Sequence, residues 1–224
     1  MTATSPRLIP RWLKIAYTAF TAVLIPVYLR NYGPTNFLFF CDVAAIMTVI
    51  AIWIESPMLL SAALVGIFLP QMLWVIDFLF EVSGGRLTGM TSYMFKPPFF
   101  LRFLSFFHFW LPFLLIYVVW CVGYDKRGVI LWTGVTWILL TVCYVWMPPP
   151  SPSMDPVTKQ PVRDPDMPVN INYVYSITSD EKPQDWMDPN LYFAAYMMIL
   201  VVGIYPLTHL LFWWLMPEPR KQTT

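Results

Sequence analysis

The chain has 224 residues, 58% of them hydrophobic and only 12% charged, with a net charge of +1. A water-soluble domain carries about 25% charged residues, and a globule of this size has too little interior to hide so much apolar surface. The composition therefore selects a lipid bilayer as the partner, and the absence of a basic excess argues against nucleic acid.

A spanning helix needs about 20 mainly apolar residues. In chain order the hydropathy predicts six: Leu13–Leu29, Asn36–Ile54, Met58–Phe80, Arg102–Gly123, Gly128–Met147 and Leu191–Met216. The fold class is thus an all-α, polytopic transmembrane bundle of about six helices, forming one integral membrane domain over residues 1–224. Arg7, Arg11 and Lys14 precede the first apolar run, but Arg30, Asn31 and Tyr32 follow it where a cleaved leader would have small residues. It reads as a retained helix, bent at Pro26. Glu55-Ser56-Pro57 and Gly123–Gly128 are tight turns, so helices two and three, and four and five, form antiparallel hairpins.

Two long loops fall on one face. Glu81–Leu101 is rich in aromatics and reads as an interfacial segment. Pro148–Pro189 holds ten of the 22 prolines. Its first part, Pro148–Pro168, reads as an extended, hydrated, acidic linker. Its second part contains Asn170-Ile171-Asn172-Tyr173-Val174-Tyr175, which is expected to pack back onto the bundle. Arg11, Lys14, Lys126, Arg127, Arg220 and Lys221 would share one face with Arg7, against Arg30, Arg86, Lys96 and Arg102 in the short segments of the other. That asymmetry predicts cytoplasmic termini. Trp213-Trp214 with the Arg220-Lys221 tail reads as an interfacial anchor.

Ionisable groups at membrane depth are costly, roughly 2.5–3.5 kcal/mol each on insertion scales, which makes them functional candidates. Here they are Asp42, Asp77, His108 and His209, with Cys41 beside Asp42. Counting from the helix ends puts Cys41, Asp42, Asp77 and His108 at one level, roughly 5–9 Å below the loop face. His209 falls near the opposite face. Two histidines at different depths disfavour a bis-histidine haem, and the three cysteines show no metal spacing. No cofactor and no metal are expected. The shallow pocket suits acyl chemistry on a lipid: His108 as base, Asp42 or Asp77 to orient it, and Cys41 as candidate nucleophile. Asn172, with Asn170 and Tyr173, would line the pocket from above. The alternative is structural, with Asp and His paired across helices because an unpaired polar group there is expensive.

Several segments carry a resemblance. Asn36–Asp42 (NFLFFCD), Trp53–Pro57 (WIESP), Ser92–Phe95 (SYMF), Ser105–Pro112 (SFFHFWLP), Gly123–Asp125 (GYD), Asn170–Tyr173 (NINY) and Pro206–His209 (PLTH) resemble a family of bacterial multipass proteins known as membrane-associated. The resemblance spans Asn31 to His209 and implies a bacterial inner-membrane location. More distantly the chain is similar to the YwaF-like six-helix family, whose vertebrate relative is an ether-phospholipid acyltransferase. That similarity implies a Cys on the second helix and a His on a later one, at Cys41 and His108, and a phospholipid as substrate or ligand. Three functions stay open: a lipid hydrolase or acyltransferase, a non-enzymatic lipid-binding or assembly subunit, and, with least support, a transporter.

Overall fold

The computed structural model describes residues 8–85, 87–164, 167–177 and 180–219. Arg7, Arg86 and the Arg220-Lys221 tail, which enter the charge and anchor expectations, lie outside them. The structure is an all-α bundle: α1 (Arg11–Tyr32), α2 (Phe40–Ile54), α3 (Pro57–Val82), α4 (Phe99–Ser105), α5 (Phe107–Val122), α6 (Arg127–Trp146), α7 (Pro189–Met198) and α8 (Tyr205–Leu215). A π-helical stretch, Ile199–Ile204, joins α7 to α8 into one apolar rod. It lies just before Pro206, which has no N–H to give to the helix ladder.

Five helices or helix pairs are long and apolar enough to cross a membrane: α1, α3, α4–α5, α6 and α7–α8. The chain is membrane-embedded. The second predicted span differs from expectation. The α-helix α2 has only 15 residues, because Pro34–Leu38 forms a separate 3₁₀ turn instead of its first turns. Gly33, at φ 76°, breaks the chain before that turn. The fourth span also breaks, at Phe106, between α4 and α5.

Helix α3 is the centre of the bundle and packs against α2, α5, α6 and α8. Ser56 caps its start by accepting from the Leu59 amide, and Pro57 occupies its first turn. The small residues Ser61, Ala62, Ala63 and Gly66 let α6 approach closely. A Cβ on Gly66 would fall 1.8 Å from the Trp132 ring, so the indole occupies the place of the missing side chain.

Both tight turns lie on one face, with the first and last described residues of the chain. Lys14 and Glu55 pair at 2.6 Å, and the Leu8 and Ile9 amides donate to the same carboxylate. The Tyr124 amide donates to the Pro217 carbonyl, and the Asp125 amide donates to Ser61 Oγ. The long loops lie on the other face.

Within the Pro148–Pro168 segment, the stretch Met154–Pro161 is folded rather than extended. Asp155 Oδ1 accepts from the Val157 and Thr158 amides, and Met154 pairs with Pro161, making a small exposed hairpin. A short side chain that bonds to backbone two and three residues ahead nucleates a turn, and this local bond outweighs the extended bias of the prolines.

Candidate functional site

The site is assembled at the loop-face end of the bundle. Cys41 is the second residue of α2 and His108 the second residue of α5. His108 Nε2 lies 3.2 Å from Cys41 Sγ. Its other nitrogen, Nδ1, lies 2.7 Å from the Ser105 carbonyl. A carbonyl can only accept, so Nδ1 carries the proton and Nε2 presents its lone pair to the thiol. The Ser105 carbonyl is free to do this because the helix breaks at Phe106. Ser105 Oγ is itself held 2.6 Å from the Tyr28 hydroxyl, which ties α1 to the hinge. The imidazole is further fixed by stacking on Trp74 of α3, 5.3 Å between centroids.

Neither expected aspartate orients His108. Asp42 is next to Cys41 in sequence, but successive helical residues point about 100° apart. With Cys41 facing His108, Asp42 turns to the Pro34–Leu38 segment. Its Oδ2 accepts from Asn36 Nδ2 at 2.9 Å, while Oδ1 is buried without a protein partner. Asp77 is diverted more completely. Its Oδ1 accepts from the Thr88 amide, the Thr88 hydroxyl and the Gly89 amide, and its Oδ2 from the Thr91 amide and hydroxyl. It organises the loop after α3. Glu81, one turn on, accepts from the Ser92 hydroxyl and shares the single Thr91 hydroxyl proton with Asp77.

The expected lining residues divide as well. Both polar atoms of the Asn172 amide bond to the chain. Its Oδ1 accepts from the Phe40 amide at 2.9 Å and its Nδ2 donates to the Leu38 carbonyl at 2.8 Å. It grips the start of α2 from both sides, one residue before Cys41. Asn170 binds its own loop, donating to the Ser176 carbonyl and accepting from the Tyr175 amide. Asn170, Asn172 and Tyr173 all have φ between 50° and 61°. Asn tolerates that region and Tyr does not, so the tertiary contacts hold this segment in a strained form.

Tyr173 makes no bond to Cys41 or His108 among the described residues, and its carbonyl accepts from the Tyr192 hydroxyl. Three tyrosines, Tyr28, Tyr93 and Tyr173, belong to this end of the bundle, and Tyr28 meets the framework of the site through Ser105 Oγ. One comes from α1 and one from each long loop. Burial, reinforced by Asp180, pushes the Tyr173 phenol above its ordinary range, so it remains an O–H donor at neutral pH.

Sequence reasoning missed Ser105, Tyr28, Trp74 and Tyr93. Ser105 carried a usable signal, since it precedes His108 by three residues, the spacing at which helical neighbours meet. His209 is on the opposite face, where the Tyr124 hydroxyl lies 2.7 Å from its Nδ1 and its ring stacks on Trp213. No family model, curated protein or solved structure matches the chain.

Proposed function

We propose that this chain is a bacterial inner-membrane lipid acyl hydrolase or acyltransferase, of the membrane-associated family it resembles, with Cys41 as nucleophile and His108 as base. The observation that carries this reading is the contact of His108 Nε2 with Cys41 Sγ while Nδ1 donates to the Ser105 carbonyl. The pair has the geometry needed for proton transfer, in which the base is oriented by a third group. Here a backbone carbonyl does what an aspartate does in a Ser-His-Asp triad.

The step balances simply. Nε2 takes the thiol proton, and the sulfur attacks the carbonyl carbon of a lipid ester. The C–O ester bond breaks, and His108 returns the proton to the leaving alcohol. The acyl group is then a thioester on Cys41. Water or the hydroxyl of a lysolipid takes it in the second half. A tyrosine hydroxyl from this end of the bundle, Tyr28, Tyr93 or Tyr173, would be the donor to the developing oxyanion. The site lies just below the loop face, at the depth of a glycerolipid ester. With both termini cytoplasmic, that face is the outer one, and the substrate is a phospholipid of the outer leaflet.

A second reading, a non-enzymatic lipid-binding or assembly subunit, is favoured by Asp77 and Asn172, whose polar groups are spent on scaffolding. One experiment separates them. Lipid profiles are compared for cells carrying wild type, His108→Ala and Cys41→Ala, with protein levels matched. The enzyme reading expects both variants to shift the same lipid species and to lose a hydroxylamine-labile acyl group on the wild-type chain. Removing a general base costs about 10²–10⁴-fold in rate, enough to show in such profiles. Unchanged profiles with stable protein would sink the reading.

A further inference from the structure

At the same end of the bundle as the Cys41–His108 pair, which does not line it, lies a cavity of about 270 Å³, between the end of α3, the segment Ser92–Phe95 and α4. Its walls are aromatic: Phe78, Phe95, Phe103 and Phe106, closed by Met94. Its one charged lining residue is Arg102. Arg102 Nε donates to the Pro97 carbonyl at 2.7 Å, which fixes the guanidinium plane at the rim. Among the described residues Arg102 has no carboxylate partner. Its two terminal nitrogens are therefore presented as a fork, the geometry that recognises a phosphate through two parallel hydrogen bonds.

A stack of aromatic rings stands between the cavity and the reacting pair. Phe95 stacks on Phe78, Phe78 on Trp74, and Trp74 on the His108 imidazole, with interplanar angles of 15°, 6° and 23°. Arg102 precedes His108 by six residues, roughly 9 Å along a helix axis, with the charge nearer the loop face and the imidazole deeper. Phe99 and Phe103 beside it are 80% and 60% exposed and face outward from the protein. The outer wall thus opens to lipid rather than to protein.

We infer that this cavity is the headgroup-selecting site for a glycerophospholipid, with the phosphodiester on Arg102 and the glycerol and upper acyl chain against the phenylalanines. The inference rests on the acyl-chemistry reading for its purpose, but not for its test. A bound phosphate at Arg102 leaves the glycerol esters next below it, on the side of His108. A neutral diacylglycerol has the same chains and nothing for the guanidinium. A free fatty acid has an anion but no ester to deliver.

The test uses the full chain carrying Cys41→Ala, so that binding is read without turnover. Native mass spectrometry from detergent micelles measures adducts with dioleoylphosphatidylcholine, dioleoylglycerol and oleate offered at equal concentration. The expected result is retention of the phospholipid about tenfold over dioleoylglycerol, the worth of one charge-assisted pair. Adding Arg102→Gln is expected to erase that preference, and Arg102→Lys to keep part of it, since a point charge remains without the fork. Millimolar inorganic phosphate is expected not to displace the lipid. Equal retention of dioleoylglycerol, a preference for oleate, displacement by inorganic phosphate, or full binding by a folded Arg102→Gln protein would each overturn the inference. Phospholipid binding with an unchanged lipid profile in Cys41→Ala cells would overturn the acyl chemistry and leave this site standing.

Discussion

Glu55 is the residue on which the turn-side face depends. It sits at the αL corner between α2 and α3 at φ 50°, and its carboxylate receives Lys14 and the Leu8 and Ile9 amides. Burial alone would raise its pKa. The bond from Lys14 and the two amides outweigh burial and hold it below the ordinary value. A carboxyl depressed in the folded state contributes stability that is complete above the unfolded pKa and is lost as pH falls through the folded one. The melting temperature in micelles is therefore expected to fall on acidification below the ordinary carboxylate range, and that part of the fall to be missing in Glu55→Gln. At neutral pH Glu55→Gln leaves the buried Lys14 without its counter-charge, an expected loss of about 3–5 kcal/mol. At Cys41 the controlling neighbour is Asn172. Asn172→Leu removes both bonds to the start of α2, and Asn172→Asp keeps an acceptor for the Phe40 amide. Alkylation of Cys41 by a small maleimide is expected to change more in the leucine variant than in the aspartate one. Equal rates in the two would show that Asn172 does not position the thiol.

Among the elements, the segment after α3 is held by two carboxylates, Asp77 with most of the bonds and Glu81 beside it. Asp77 accepts three amides and two hydroxyls from Thr88–Thr91, and this segment leads directly into Tyr93, Met94 and Phe95 at the site. An asparagine offers one acceptor oxygen and turns an NH₂ toward the remaining donors. Asp77→Asn is expected to release the Thr88 and Thr91 amides to hydrogen exchange, a local loss of about 2 kcal/mol, while the α3·α6 core keeps its protection. The contact of α3 with α6 makes the opposite demand. Gly66→Ala puts a methyl group into the Trp132 ring and is expected to cost about 3 kcal/mol or more. Gly134→Ala, on the same α6 helix, has nothing within 4 Å of the new Cβ and is expected to be neutral or slightly stabilising. Melting temperatures of the two alanine variants, measured side by side, check both.

The whole molecule has two unlike ends. One carries the Glu55 and Tyr124–Arg127 turns with Leu8, Ile9 and Pro217 against them, and the other carries the long loops, the Cys41–His108 pair and the aromatic cavity. The proposed orientation puts the loop end outside. In spheroplasts, a cysteine at Ser153 in a background lacking reactive thiols is expected to react with an impermeant maleimide. A cysteine at Lys126 is expected to react only after permeabilisation. The reverse pattern would place the site on the cytoplasmic leaflet and change the lipid it meets.

Composition and hydropathy by themselves determined the solvent, the number of apolar rods and the face on which the long loops lie, because each depends on sums over many residues. Helix rise also predicts one depth for Cys41 and His108, which do meet, and that part was legible because depth is linear in residue number. Only the tertiary structure decided which of the candidates meet. Azimuth around each helix, and competition from nearby loop donors, turned Asp42 toward Asn36 and gave Asp77 to Thr88 and Thr91. The break at Phe106, which no hydropathy sum registers, freed the Ser105 carbonyl to take the place expected of an aspartate. Non-local packing likewise set the length of α2, since Asn172, 132 residues away from Phe40, receives the first amide of that helix.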